Sequence, residues 1–508
     1  MNTMKKLFTL PLVMSASFAV AETQMSTQDN VLPQLSFELQ QERAAELAKQ
    51  AEERLRVEEE KRIAAETLQQ AQQRILQEVG ENSLQLLQAT ANVYSKLDFK
   101  PIWQDASTTK LFLKEYALFA ASGVSAKSAN ALQQILNTPE SVARDILLTD
   151  SFLDYLYYNK GVSQSANQWL YKLGSYKPKS PDENSIEQWV FAINNHTTHQ
   201  FIDTLIPKNH IYQEMANMLF TMSPTSEIEQ SGQKSQKAKS GKSKSDNAPV
   251  SFQKLALNAQ RLRIIPSFNN GIFVNIPSYQ LYYFRDGELV LQSKVIVGRN
   301  ERRTPVMFSK LSNVVVNPPW NVPPTIKNKD LVPKMRRDPS YANSHSYEII
   351  DSAGRKVDPY SINWAAYDNP NKNFPYHIRQ KAGDDSALGR YKFNMPSSDA
   401  IYLHDTPNRG LFSKTNRALS SGCVRVAKSD ELATLLLKEA GWSEQRKKSV
   451  LASKKTTSAQ IRSDNPVYLY YVTAWVENGK IHSLPDIYRF DTNLPKVRID
   501  WDQVKNVI

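Results

Sequence analysis

The chain has 508 residues, 41% of them hydrophobic and 10% aromatic, which suits two to four globular domains with large cores and excludes a disordered or fibrous protein. A formal charge of +12 favours anionic polymers or surfaces as partners. A single cysteine excludes an intrachain disulfide framework.

Residues 1–21 read as an export signal. Lys5 and Lys6 form the charged end, Leu7 to Val20 the apolar run, and Ala19-Val20-Ala21 a small-x-small cleavage site that would leave Glu22 as the first mature residue. The alternative is an uncleaved anchor associating with the membrane. Against it, the run is interrupted by Pro11, Ser15 and Ser17 and falls short of the roughly 20 residues a span needs. No cysteine follows the run, so lipid anchoring there is excluded, and no later segment is apolar enough to cross a membrane. Export also argues against nucleic acid as the partner.

Residues 22–80 form a polar tail and then a long charged helix. Glu, Gln, Ala, Arg and Lys dominate from about 35, with no Gly or Pro until Gly80. Leu47, Ala51, Leu55 and then Ala64, Leu68, Ala71, Ile75 and Val79 recur every three or four residues, a thin apolar stripe. The almost wholly charged stretch Val57–Arg62 favours a solvated helical arm over a continuous coiled coil.

Residues 81–222 read as a helical domain. Thr138-Pro139-Glu140 marks a helix start, with Pro at the first helical position. Leu147, Leu148, Phe152, Leu153, Leu156 and Tyr157 then bury one face. His196 and His199 are spaced as a metal pair, but no third ligand stands nearby and no metal is expected. From 223 to 250 the composition falls to Ser, Lys, Gln and Gly, a flexible linker or a basic tether.

From 251 to 495 the pattern is mostly β. The stretches 273–284, 289–297 and 313–319 are β-branched or aromatic runs, and Asp286-Gly287 marks a hairpin turn. Residues 252–266 look like a helix leading into the sheet, and 429–440 like another, closed by Gly441. Residues 466–488 read as a further hairpin turning at Asn478-Gly479. The stretch 321–390 is long and irregular, yet Tyr341, Tyr347, Tyr360, Trp364, Tyr367, Phe374 and Tyr376 argue for order. Residues 496–508 are read as a C-terminal tail.

The chemistry concentrates in Tyr402–Arg425, YLHDTPNRGLFSKTNRALSSGCVR. The lone Cys423 lies in Ser-Ser-Gly-Cys-Val-Arg, nineteen positions after His404. A thiol attacks as thiolate, and an imidazole can take its proton. Gly422 permits a tight turn, and the Gly422 and Cys423 amides could face a developing oxyanion. Arg425 could hold a loop carbonyl or a substrate carboxylate, or add positive potential near the thiol. Tyr402 lies two before His404, on the same strand face, as pocket lining or core. Trp320 is pocket wall or core, and Ser421 a loop hydrogen-bonder or substrate contact. The competing reading of a lone cysteine is a small buried hydrophobe.

This stretch resembles the signature of the L,D-transpeptidases, the family with a YkuD-type catalytic domain: His, then Ser-x-Gly-Cys-x-Arg. Many members place His where Ser421 stands. Residues 302–326 and 388–407 resemble the large Gram-negative, YcbB-like branch, and 94–103 (YSKLDFKPIW) the opening of its helical scaffold domain. The resemblance implies a multidomain α+β protein: helical arm and scaffold, then a mostly-β catalytic domain with a capping subdomain at about 321–390. It implies a periplasmic cysteine acyltransferase needing no cofactor. Cys423 would be the nucleophile, His404 the general acid/base, Gly422 and Cys423 the oxyanion hole, and Tyr402, Ser421, Arg425 and Trp320 substrate contacts. The implied partners are peptidoglycan tetrapeptide stems, with other wall-synthesis enzymes met through the helical regions. The implied product is a 3-3 cross-link between diaminopimelate residues, with D-alanine released. L,D-carboxypeptidase activity, attachment of protein to stems, and an inactive wall-associated scaffold are the alternatives. No stretch resembles the peptidoglycan-binding module that many large members carry.

Overall fold

The computed structural model describes residues 32–80, 83–223, 250–369, 372–492 and 494–508. The expected export signal lies outside these residues, as do nearly all of the expected linker and the start of the polar tail. Two compact units make up the chain, 1–69 and 70–508.

Helix α1 (Leu32–Val79) begins in the first unit. There Leu39, Leu47 and Leu55 are exposed, and Arg56 and Arg62 pair with glutamates three and four positions away. The helix is held by its own side-chain pairs rather than by a core. Its last turns belong to the second unit. Ala71 and Ile75 are buried there, and the Arg74 guanidinium sits 4.1 Å over the Phe99 ring. The lower part of the apolar stripe is therefore solvated and only its end packs.

Eight helices follow: α2 (Leu87–Lys96), α3 (Ala106–Ala121), α4 (Ser128–Asn137), α5 (Val142–Trp169), α6 (Glu183–Asn194), α7 (Thr198–Asp203), α8 (His210–Thr221) and α9 (Phe252–Leu262). The start expected at Pro139 shifts to Val142, because Ser141 takes the cap and accepts from the Arg144 N–H at 3.2 Å. Around α5 pack Trp103, Phe112, Phe152 and Trp189, with ring centroids 4.2–5.7 Å apart. Arg263, just past α9, is buried. Its guanidinium meets Glu115 of α3 and the hydroxyls of Tyr155 (α5) and Tyr212 (α8), so a satisfied ionic cluster ties the helices together.

The strands are β1 (Gly271–Asn275), β2 (Gln280–Arg285), β3 (Glu288–Gly298), β4 (Met307–Lys310), β5 (Asn313–Val316), β6 (Trp320–Asn321), β7 (Tyr347–Ile350), β8 (Lys356–Val357), β9 (His377–Gln380), β10 (Tyr391–Asn394), β11 (Leu403–His404), β12 (Ala418–Ser420), β13 (Val424–Val426), β14 (Thr457–Gln460), β15 (Pro466–Tyr470), β16 (Ala474–Glu477) and β17 (Lys480–Ser483). The main sheet runs β14-β5-β10-β11-β13-β3-β2-β1-β15-β4, with β12 added on β3. The β2–β3 turn uses Asp286 and Gly287, both at positive φ, as the Asp-Gly pair predicts. The hairpin expected over 466–488 is shorter. Only β16 and β17 pair across Asn478-Gly479, while β15 leaves to run parallel to β1.

One hydrophobic core runs from Leu86 through the helices and the main sheet to Val504. The expected helical and β domains therefore share an interior. Tyr171 donates to the Tyr471 carbonyl at 3.0 Å across the seam. The expected tail is a helix, Trp501–Val507; Trp501 is buried and donates its indole N–H to the Leu219 carbonyl of α8 at 3.1 Å. The stretch 321–390 has its own sheet, β6-β9-β7-β8, and its own core around Met335, Ile349, Trp364 and Phe374. The aromatic content that argued for order is what fills this second core.

Candidate active site

Strand register builds the site. β10, β11 and β13 lie side by side, with Lys392 opposite His404 and His404 opposite Arg425. Side chains alternate across a strand. Phe393, Leu403, Val424 and Val426 point into the core, all fully buried. Lys392, Tyr402, His404, Cys423 and Arg425 therefore share the opposite face. Five polar positions on three strands or one residue before them converge because the intervening residues are apolar.

The loop that carries Cys423 is clamped at three points. Ser420 Oγ accepts the Gly422 N–H at 3.1 Å and donates to the Cys423 carbonyl at 2.6 Å. Thr304 Oγ1 donates to the Gly422 carbonyl at 2.7 Å. Gly422 has φ of +121°, a conformation side chains rarely adopt. Its expected role as an oxyanion donor is corrected here, since its N–H already serves Ser420. Ser421 accepts from Arg302 at 3.2 Å, and Arg302 in turn pairs with Asp330 of the stretch 321–390. The Ser421 hydroxyl is thus engaged within the loop. On the far side, Ala400 holds a left-handed φ of 52° and presents its carbonyl to the Cys423 thiol at 4.0 Å.

His404 is buried, with its Nδ1 2.5 Å from the Asp405 carbonyl. Nδ1 is therefore assigned the proton, and Nε2 is left as the acceptor. Asp405 is anchored in turn: its carboxylate accepts from the Arg390 N–H at 2.9 Å, from Arg409 at 2.6 Å and from the Ser429 hydroxyl at 2.6 Å. Neither the carbonyl nor its anchors carry a sequence signal.

Burial, then Arg425 and Lys392, depress the His404 pKa to about 3, so the ring is neutral around pH 7. Burial pushes the Cys423 thiol up, against hydrogen bonds from the Tyr402 backbone and hydroxyl and the charges of Lys392 and Arg425. The resting pair is a neutral thiol and a neutral imidazole. Tyr402 also meets Trp320, just before the stretch 321–390, and burial raises its pKa. Lys392 holds its Nζ 4.2 Å over the Tyr402 ring. Sequence reading passed over Lys392. The Tyr391/Phe393 alternation places it on the outer face, but only the strand pairing places it beside His404.

His196 and His199 are exposed. Among the described residues no three His, Cys, Asp or Glu side chains group as metal ligands.

Residues 269–461 match the YkuD family, the L,D-transpeptidase catalytic domain, and residues 88–219 match the Scaffold domain. The Haemophilus influenzae protein named "Putative L,D-transpeptidase" is 53% identical over 433 residues, 85% of this chain and 84% of that protein. Two solved structures, the Ldtfm–avibactam carbamoyl enzyme and a mutant Enterococcus faecium L,D-transpeptidase, each overlap 51% of this chain at 8% identity. They are covered to 79% and 80%, and at a TM-score of 0.18 neither overlay bears on the argument. With its cysteine-bearing sheet and its helical body each matched, and a relative this similar along most of both chains, the protein belongs to the L,D-transpeptidase family.

Proposed function

We propose that the protein forms 3-3 cross-links in peptidoglycan through a thioester on Cys423. The observation that carries the reading is the shared strand face on which Cys423, Tyr402 and His404 stand. Nε2 of His404 takes the thiol proton as Sγ attacks the carbonyl of the third residue of a tetrapeptide stem. The carbon–sulfur bond forms, the carbon–nitrogen bond to D-alanine breaks, and the proton passes from Nε2 to the departing amine. The side-chain amine of diaminopimelate on a second stem then attacks the thioester. Its proton returns through His404 to the thiolate.

The Cys423 N–H and the Tyr402 hydroxyl are the donors placed to meet the oxyanion. The capping stretch touches the site through Trp320 and through Asp330 on Arg302, and would exclude water so that the amine competes. A lid with its own core suits two bulky, glycan-borne stems entering from different sides. We place the protein in the periplasm on the strength of the Lys5–Ala21 pattern.

The test is incubation with purified disaccharide tetrapeptide and separation of products by mass. A dimer lacking one D-alanine and resistant to D,D-endopeptidase supports the reading. Tripeptide alone means an L,D-carboxypeptidase. Reaction only with an added protein acceptor means attachment, and no thiol acylation at all means a scaffold.

A further inference from the structure

The strand register sets His404 between two cations. Lys392 on β10 and Arg425 on β13 are its direct partners on either side, on the same face. Neighbouring strands lie about 4.8 Å apart, so the three side chains form a short row across the sheet. Among the described residues neither cation has a carboxylate within ion-pair distance. Nearby arginines do: Arg409 pairs with Asp405, and Arg302 with Asp330. Lys392 has only the face of Tyr402. The Nε of Arg425 is buried with no hydrogen-bond partner.

A half-buried cation without an anion is costly, and two that flank one ring repel. The thiol is not their missing anion, because burial outweighs them and raises its pKa. The arrangement is that of a site waiting for an anionic ligand.

We propose that Lys392 and Arg425 form a cradle for the free α-carboxylate of the residue that leaves in the first half-reaction. The inference rests on the proposed acylation at Cys423. His404 delivers its proton to the departing amine nitrogen. The α-carboxylate stands one carbon beyond that nitrogen, within reach of the long side chains that flank the ring on either side. An Arg–carboxylate or Lys–carboxylate contact in a partly desolvated site is a strong hydrogen bond. The cradle makes the enzyme select donors that end one residue after the bond it breaks.

The experiment compares two donors, disaccharide tetrapeptide with a free C-terminal carboxylate and the same compound as its C-terminal amide. Wild type should prefer the acid by about 30-fold or more in kcat/KM for release of the terminal residue, the weight of a charged hydrogen bond. In Lys392→Met the preference should fall to within about threefold, with Lys392→Arg restoring it. Binding gives a second readout free of turnover. Cys423→Ala should bind the acid at least about tenfold more tightly than the amide by calorimetry, and Cys423→Ala/Lys392→Met should bind both alike. Equal use of acid and amide by wild type overturns the inference and leaves the transpeptidase reading standing. An undiminished preference in Lys392→Met also overturns it. No release from either donor, with no acylation of Cys423, overturns the transpeptidase reading and the inference with it.

Discussion

His404 Nδ1 lies 2.5 Å from the main-chain carbonyl of Asp405, the residue that follows it. The imidazole we propose as general acid/base is thus oriented by its own chain neighbour. The Asp405 side chain faces the other way and secures that carbonyl to Arg390, Arg409 and Ser429. The dipeptide therefore splits into the proposed proton carrier and the residue that positions it.

Replacing Asp405 by Ala leaves the Arg409 guanidinium and the Ser429 hydroxyl without their acceptor. We expect a loss of about 2 kcal/mol in urea unfolding, the usual cost of leaving a buried donor such as the Ser429 hydroxyl unpaired. Among molecules that remain folded, kcat should fall with KM little changed, because the imidazole loses its aim rather than the site its substrate contacts. A variant with wild-type kcat would detach Asp405 from the orientation of His404.

Cys423→Ala should abolish turnover while keeping the fold, since the side chain is half-buried and small. Cys423→Ser should be nearly inactive too, because serine has no accessible anion near pH 7. Intact mass after incubation with tetrapeptide reads the adduct directly. Acylation of the alanine variant would move the nucleophile elsewhere.

The pH behaviour follows from His404. Its folded pKa lies at about 3 against an ordinary value of 6.5. Between those two values the unfolded chain takes up a proton that the native chain refuses. The stability this group contributes is present above pH 6.5 and is lost as the pH falls through that window. Stability to urea should therefore fall more from pH 7 to pH 4 in wild type than in His404→Gln. Equal pH dependence of the two would contradict a depressed imidazole. The acid limb of Cys423 acylation should likewise lie below the usual histidine range.

Deletion to Gln69 should leave catalysis on soluble muropeptides and the melting temperature unchanged, because Leu39, Leu47 and Leu55 of that segment face solvent. Deletion to Val79 should lower the melting temperature, since it uncovers the pocket of the fully buried Ile75, worth about 2 kcal/mol of apolar burial. A melting temperature indifferent to the second deletion would mean that the end of α1 is not part of the body.

What could be read from sequence was what local chemistry marks. Cys423 and His404 stood out by residue type and spacing, and the Asp286-Gly287 turn by backbone demand. The order of the stretch 321–390 followed from its aromatic residues. What could not be read needed partners distant in the chain. Lys392 joins the site only because β10 pairs with β11. The Gly422 amide looks free until Ser420 is seen to use it. The carbonyl that orients His404 could have come from any residue type. Residues 496–508 read as a tail because one tryptophan in a polar segment says nothing about the α8 surface that buries it.

The helix Trp501–Val507 seals against α8, some 280 positions earlier, over an interior common to helices and sheet. The order of assembly follows. A ribosome delivers the helical half first, but that half presents an unfinished apolar wall until the sheet and then Trp501 arrive. The two halves should melt together in one calorimetric transition rather than in succession. Nascent chains lacking the last few residues should be sensitive to protease in α8, although α8 was synthesised long before. An enzyme built this way has no active half-made form, because its first half is completed last.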